Sequence, residues 1–155
     1  MTESPHQSIL DEANRSGAWF AARKVSPVWV NDSASKPSVE SLEGEETLLS
    51  GDVLCRGAAG DVWPQSRESL FAKYSPTSQV DAQGWKKFEP RPEQSRVMAI
   101  QILHPFEVDT TRGKLSGKAG DYLLKKHDQR DIAYPQDVWI VDRQVFQSTY
   151  QREPT

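Results

Sequence analysis

Residues 39–54 read VESLEGEETLLSGDVL, and residues 108–123 read VDTTRGKLSGKAGDYL with the same spacing. In each stretch a valine precedes a glycine by five residues, and a second glycine follows seven residues later. Each stretch then continues with Gly-Asp, one further residue and Leu. Repetition at fixed spacing is the sequence signature of a structural unit that occurs more than once. The pattern therefore predicts a tandem repeat of one small module in two diverged copies.

A nine-residue unit closes each copy, SRESLFAKY from Ser66 and DRQVFQSTY from Asp142. Ser and Asp are favourable N-cap residues because a side-chain oxygen can accept an unpaired backbone N–H. The apolar residue and the tyrosine four positions apart in each unit would share one face of a short helix. The preceding stretches alternate like strands around a Gly-Asp turn. The predicted fold class is mainly β (α+β), with strand-turn-strand modules that are each closed by a short helix.

The rest of the chain is divided around these two modules. Ser4 and Pro5 are typical of a helix start, which predicts a short helix in an otherwise polar arm. The stretch KVSPVWV, residues 24–30, is typical of a strand, although Pro27 would confine it to a sheet edge or a bulge. The predicted segments are an N-terminal arm (residues 1–23), a first module (24–74), a connector (75–95) and a second module (96–155).

The second copy differs from the first and is the better candidate for a binding site. If Trp63-Pro64-Gln65 is aligned with Tyr134-Pro135-Gln136, the second copy gains the segment 137–141 and a charged loop, 125–131. Polar groups beside aromatic rings suit recognition of a small ligand or a peptide. The alternative is that the extension only adds a strand that covers a sheet edge. The predicted ligand-binding residues are His127, Asp128, Arg130, Asp131, Tyr134 and Trp139.

No catalytic residue, metal site or cofactor is assigned from the sequence. Asp52 and Asp121 are typical of turn residues that bond nearby backbone groups. Cys55 fits a small buried residue within a strand. His104 and His127, with nearby carboxylates, would support metal binding or acid–base chemistry only if folding brought them together. Their spacing matches no metal-binding signature.

The motif Ala119-Gly120-Asp121-Tyr122-Leu123, followed by Tyr134-Pro135 and by residues 146–150, FQSTY, resembles the PGDYG-type family of short bacterial and phage proteins. This chain has Ala119 where that family usually has proline. The likeness covers residues 97–150 and, more loosely, 24–74. It implies the same fold, and because no activity is established for the family it implies no catalytic residue.

Composition narrows the functional classes. A net charge of −3 argues against binding along a phosphate backbone, which needs clustered basic residues. A single cysteine excludes an intramolecular disulfide and favours a reducing, cytoplasmic location. No stretch resembles a signal peptide or reaches the roughly 20 apolar residues of a membrane span.

These observations favour a non-catalytic binding or assembly module with a protein, peptide or small-molecule partner. The alternative is a small hydrolase or transferase acting on a nucleotide-like or small polar substrate. That alternative depends on His104, His127 and their neighbouring carboxylates forming one site.

Overall fold

The computed structural model describes residues 4–31 and 38–154, and these residues are mainly β-structure. A 3-10 turn covers His127–Gln129. No helix in these two ranges is long and apolar enough to cross a membrane. The α-helices of the described residues are α1 (Pro5–Ser16), α2 (Arg67–Lys73) and α3 (Arg143–Thr149).

The strands fall into two groups along the chain. Those before residue 91 are β1 (Phe20–Lys24), β2 (Val28–Asn31), β3 (Ser38–Ser41), β4 (Gly44–Thr47), β5 (Asp52–Arg56), β6 (Val62–Ser66), β7 (Tyr74–Val80) and β8 (Lys86–Pro90). Those after it are β9 (Arg96–Gln101), β10 (Phe106–Thr110), β11 (Gly113–Gly117), β12 (Tyr122–Lys126), β13 (Val138–Val141) and β14 (Tyr150–Arg152).

Two five-stranded antiparallel sheets and two hairpins make up the β-structure. The first sheet has the strand order β6-β5-β2-β8-β7, and the second sheet has the order β13-β12-β9-β1-β14. The first hairpin is β3-β4 and the second hairpin is β10-β11. In each sheet the strand that precedes a short helix lies at one edge, and the strand that follows this helix lies at the other.

The N-terminal helix forms where the sequence predicts it. The Ser4 hydroxyl caps α1 by accepting from the backbone N–H of Gln7 at 3.1 Å, and Gly17 ends the helix at φ 67°. This helix packs on the core of the second sheet and second hairpin, and residues 20–23 belong to β1, so the predicted N-terminal arm is docked on the fold. Its buried face is formed by Ile9, Leu10 and Ala13.

The prediction of one strand over residues 24–30 is wrong in one respect. The segment forms the end of β1 and most of β2, and these two strands belong to different sheets. Pro27 lies in the break between them and has no N–H to donate to a ladder. The chain therefore crosses from the second sheet to the first at this proline.

Residues 75–95 form β8 and most of β7, so the predicted connector is largely sheet. Strand β1 is inserted between β9 and β14, with Ala22 opposite both Val97 and Arg152. The second sheet is therefore built from segments far apart in the chain, whereas the first sheet is built from residues 28–90.

Both predicted closing helices are confirmed. The Ser66 hydroxyl caps α2, and the Asp142 carboxylate caps α3 by accepting from two backbone N–H groups. Phe146 is buried and stacks between Tyr122 and Tyr150, with ring centroids 3.9 and 4.9 Å apart. These contacts fix α3 on the second sheet.

Both Gly-Asp motifs are turns that lead into a strand, as predicted. Gly51 and Gly120 have φ of 83° and 97°, a region that glycine adopts without steric cost. The Asp52 carboxylate accepts from the N–H of Leu49 at 2.8 Å, and Asp121 accepts in the same way from Lys118 at 2.9 Å. The repeated aspartates therefore serve their own turns.

The register of the edge strands corrects the alignment made from the Pro-Gln triplets. Trp63 in β6 lies opposite Cys55, and Trp139 in β13 lies opposite Leu124. Cys55 and Leu124 occupy the same position relative to their Gly-Asp motifs, so Trp63 corresponds to Trp139 and not to Tyr134. Residues 57–61 link β5 to β6, whereas the longer segment 127–137 links β12 to β13, and the apolar segment after it is β13 itself.

The two hairpins hold the two halves together through reciprocal backbone contacts. The N–H of Thr47 donates to the carbonyl of Arg112 at 2.8 Å, and the N–H of Ser116 donates to the carbonyl of Glu43 at 2.8 Å. Arg112 also makes a bidentate ion pair with Asp52, at 2.8 and 3.0 Å. These contacts close one side of the space between the sheets.

Candidate ligand-binding cleft

A cleft of about 870 Å³ lies between the two halves of the molecule. Its walls come from both sheets, from the ends of α2 and α3, and from the hairpins. That size falls within the roughly 300–1,000 Å³ of small-molecule sites. The residues that define its chemistry are Lys24, Trp63, Lys73, Tyr74, Trp139 and Tyr150.

Lys24, at the end of β1, places an amine in this cleft without a partner. The residue is 8% exposed, and within the described ranges its Nζ makes no hydrogen bond or ion pair. Three aromatic rings lie around it, with Nζ 4.3 Å from the ring centroid of Trp63, 5.7 Å from that of Tyr150 and 5.9 Å from that of Tyr74. Burial lowers the pKa of Lys24 to about 8, the charge of Asp61 opposes this, and the charge of Lys73 adds to it.

Lys73, the last residue of α2, is a second amine in the cleft, on a residue that is half-buried. Its Nζ lies 5.1 Å from the ring centroid of Trp139 and, among the described residues, makes no hydrogen bond or ion pair. Burial lowers the pKa of Lys73, and Asp137 partly opposes this shift. The two amines come from different halves, and each faces the tryptophan of the other half.

Carboxylic acids line another part of the cleft. Burial raises the pKa of Glu43 to about 8, and the charge of Glu46 raises it further. Burial also raises the pKa of Glu46 and that of Asp61. The buried Oδ1 of Asp61 has no hydrogen-bond partner. Clustered groups with shifted pKa values in a cleft are typical of functional sites.

The structure brings three of the predicted site residues to this cleft. His127, Asp128 and Trp139 line it, whereas Arg130 and Asp131 are exposed and are not among its lining residues. The Arg130 guanidinium donates to the carbonyl of His127 at 3.1 Å, so it serves the loop. Burial lowers the pKa of His127, and the charges of nearby arginines lower it further.

Tyr134 and the rest of the loop are held from the other side. The Tyr134 hydroxyl donates to the carboxylate of Asp11 on α1. The buried Lys125 donates to the carbonyls of Arg130 and Ile132 at 3.3 and 3.1 Å. These bonds tie the loop to α1 and to β12, and only its first residues, His127 and Asp128, line the cleft.

The two histidines considered for catalysis lie at opposite ends of β9. His104 follows β9 and pairs with Glu12 on α1 at 2.7 Å, while His127 follows Lys126, which lies opposite Val97. A strand advances about 3.3 Å per residue, so the length of β9 separates them. The structure therefore does not assemble these histidines into one site.

No group of three or more His, Cys, Asp or Glu side chains in the described part of the chain is placed to hold a metal ion. Cys55 is fully buried and accepts a hydrogen bond from the Gln65 amide at 3.1 Å. Burial raises the pKa of its thiol to about 11. Cys55 is thus a packed core residue, as its sequence context predicts.

Sequence reasoning did not identify the two cleft lysines. Lys73 stands in the closing unit next to Tyr74, and Lys24 stands at the end of a strand, so neither has a local motif. Their burial arises only when the two halves pack together. One available signal was the position of Trp63 and Trp139, each three residues before a helix cap.

Comparisons with protein-family models, with curated proteins and with solved structures found no match. The resemblance to the PGDYG-type family therefore stays a prediction from the motif.

Proposed function

We propose that this chain is a non-catalytic binding module whose cleft takes up a small organic anion with a flat apolar portion. The observation that carries the proposal is the pair of unpartnered amines, Lys24 and Lys73, each facing a tryptophan ring. A buried ammonium that makes no ion pair, such as that of Lys24, is costly, and an anionic ligand would supply a direct partner.

The aromatic walls favour the flat apolar portion of such a ligand. Trp63 and Trp139 stand on facing edge strands, and Tyr74 and Tyr150 follow the two closing helices. Rings prefer to stack on flat groups, and each such contact adds about 0.5–1.5 kcal/mol beyond the area it buries. In the cleft, the lysine charges would therefore orient the anionic group of the ligand, and stacking on the rings would add to its binding affinity.

The proposal includes an origin of the cleft from two diverged copies of one module. The two sheets share an equivalent strand order, with the closing helix joining the same edges in each. A Cβ at Gly44 would lie 3.1 Å from the carbonyl oxygen of Lys114, and one at Gly113 would lie 3.0 Å from that of Glu45. Reciprocal contacts of this kind are expected where equivalent surfaces meet around a two-fold axis.

Calorimetric titration with naphthoate and with neutral naphthylmethanol tests this function. We expect naphthoate to bind and the neutral analogue to bind at least about tenfold more weakly, because a hydrogen bond to a charged group contributes roughly 1.5–3 kcal/mol. K24M and K73M should each weaken naphthoate binding by about tenfold or more.

K114M is the matched control, since Lys114 is exposed and pairs with Glu107 on the second hairpin, away from the cleft lining. This variant should bind naphthoate like the original chain. Equal binding of the charged and neutral probes, or no binding of either, would refute the proposal.

A further inference from the structure

We propose that Lys24 is a nucleophilic amine that forms an imine with a carbonyl compound carrying an anionic group. This inference rests on the cleft proposed above as the ligand site, and it goes beyond binding because it adds a covalent step. It is carried by the placement of one amine among three aromatic rings, a second amine and a carboxylic acid.

A nucleophilic amine needs a lone pair that no hydrogen bond or ion pair occupies. Lys24 satisfies this condition among the described residues, although it is more than nine-tenths buried. Lys125 is also buried, but its Nζ is held by hydrogen bonds that it donates to two carbonyl oxygens, and the residue does not line the cleft. The contrast singles out Lys24 among the buried lysines.

The surroundings favour the unprotonated amine. A desolvated lysine beside another cation is a recognised form of activated nucleophile. Burial and the charge of Lys73 lower the pKa of Lys24 to about 8. At pH 7 this leaves roughly one molecule in ten with a free amine, about 300-fold more than for a lysine of pKa 10.5.

The aromatic rings act on the product as well as on the reactant. Trp63, Tyr74 and Tyr150 surround the Nζ position and attract a cation through their faces. They stabilise the ammonium form of Lys24, which limits its reactivity. A protonated imine is also a cation at the same position, so the rings stabilise the covalent product to a similar extent.

The step balances with groups that are present in the cleft. The nitrogen lone pair of Lys24 attacks the carbonyl carbon, the nitrogen loses a proton and the oxygen gains one, which gives a carbinolamine. Loss of water then forms the C=N bond, and no oxidant or reductant is needed. The Asp61 carboxyl group, whose pKa is raised by burial, lies within electrostatic range of Lys24 and is placed to exchange protons with the reacting oxygen. The ammonium of Lys73 is placed to hold the anionic group.

Trapping with para-carboxybenzaldehyde and sodium cyanoborohydride tests the inference. The reductant converts an imine into a stable secondary amine, which peptide mass spectrometry locates. We expect Lys24 to be modified at least about tenfold faster than the exposed Lys114. Its modification should also be faster than that of the buried Lys125. The neutral analogue para-(hydroxymethyl)benzaldehyde should modify Lys24 more slowly than the carboxylate does. In K73M the two aldehydes should modify Lys24 at nearly the same rate.

K24R separates the two proposals because arginine keeps the charge but is not a nucleophile under these conditions. This variant should still bind naphthoate, and it should lose the fast modification. Naphthoate binding together with modification spread evenly over exposed lysines would overturn the imine and leave the binding site standing. Failure of naphthoate binding and of trapping would overturn both.

Discussion

Replacing Lys24 with methionine should stabilise the free protein at neutral pH, an unusual result for a buried residue. Methionine keeps an unbranched apolar stem against Trp63 and removes the amine. In the unfolded chain the amine holds its proton up to about pH 10.5, whereas in the folded chain it loses the proton above about pH 8. Folding below pH 8 therefore places an unpartnered ammonium group in a buried position.

The size of the effect follows from this difference in pKa. A fall from 10.5 to about 8 corresponds to roughly 3 kcal/mol of lost folding free energy when the amine is charged. The pKa difference contains every interaction of the ammonium, including its attraction to the three rings. We expect K24M to raise the free energy of unfolding by about 3 kcal/mol at pH 7.

The sign of the pH dependence is fixed by the direction of the shift. Because the folded pKa of Lys24 lies below the unfolded one, the penalty is complete below about pH 8 and disappears as pH rises to 10.5. The advantage of K24M should shrink to near zero over the same interval. Titrating groups that do not interact with Lys24 cancel in the difference, whereas Asp61 and Cys55 lie within electrostatic range of Lys24.

Urea denaturation of both proteins between about pH 6 and pH 11 provides the measurement. K114M serves as the control, because it makes the same substitution at an exposed lysine that pairs with Glu107 away from the cleft. The reasoning is refuted if K24M is less stable than the original chain at pH 7, or if its stability difference is independent of pH.

Two further substitutions test the packing. F146A should lower the free energy of unfolding by about 3–5 kcal/mol in urea denaturation, because it removes a buried ring that stacks on Tyr122; a loss under about 1 kcal/mol would contradict this. G113A should cost roughly 1–3 kcal/mol, since its φ is 132° and its Cβ would lie 3.0 Å from the Glu45 carbonyl. G44A should show a similar loss in the same assay, and a clear inequality would argue against equivalent hairpins.

The parts of the fold that the sequence predicts are those with a local cause. The helix cap at Ser66 and the cap at Asp142 act within one turn, and Gly51 and Gly120 meet a backbone requirement of their own turns. These features do not depend on distant residues, so composition and spacing are sufficient to place them.

The parts that sequence reasoning missed depend on contacts across the molecule. A proline such as Pro27 can lie within an edge strand or between two separate strands. Only the pairing of β1 with β14, in a different sheet from β2, shows that it separates two strands. The shared Pro-Gln dipeptides led to an alignment of Tyr134 with Trp63. The strand pairing instead equates Trp63, opposite Cys55, with Trp139, opposite Leu124. The cleft likewise depends on distant contacts, because Lys24 and Lys73 lose solvent only when the two halves of the molecule pack together.

The insertion of β1 into the second sheet has a consequence for the order of folding. Residues 28–90 contain every strand of the first sheet, so this part can form its ladder while the chain is still being synthesised. Strand β1 leaves the ribosome earlier, yet its partners are β9 and β14, which come much later. Closing a loop of that length is slow, and the unpaired edge of β1 stays exposed meanwhile. Although β1 is synthesised early, it is therefore the last strand to be paired on both sides. The amine of Lys24 at its end enters the cleft only when the second sheet is complete.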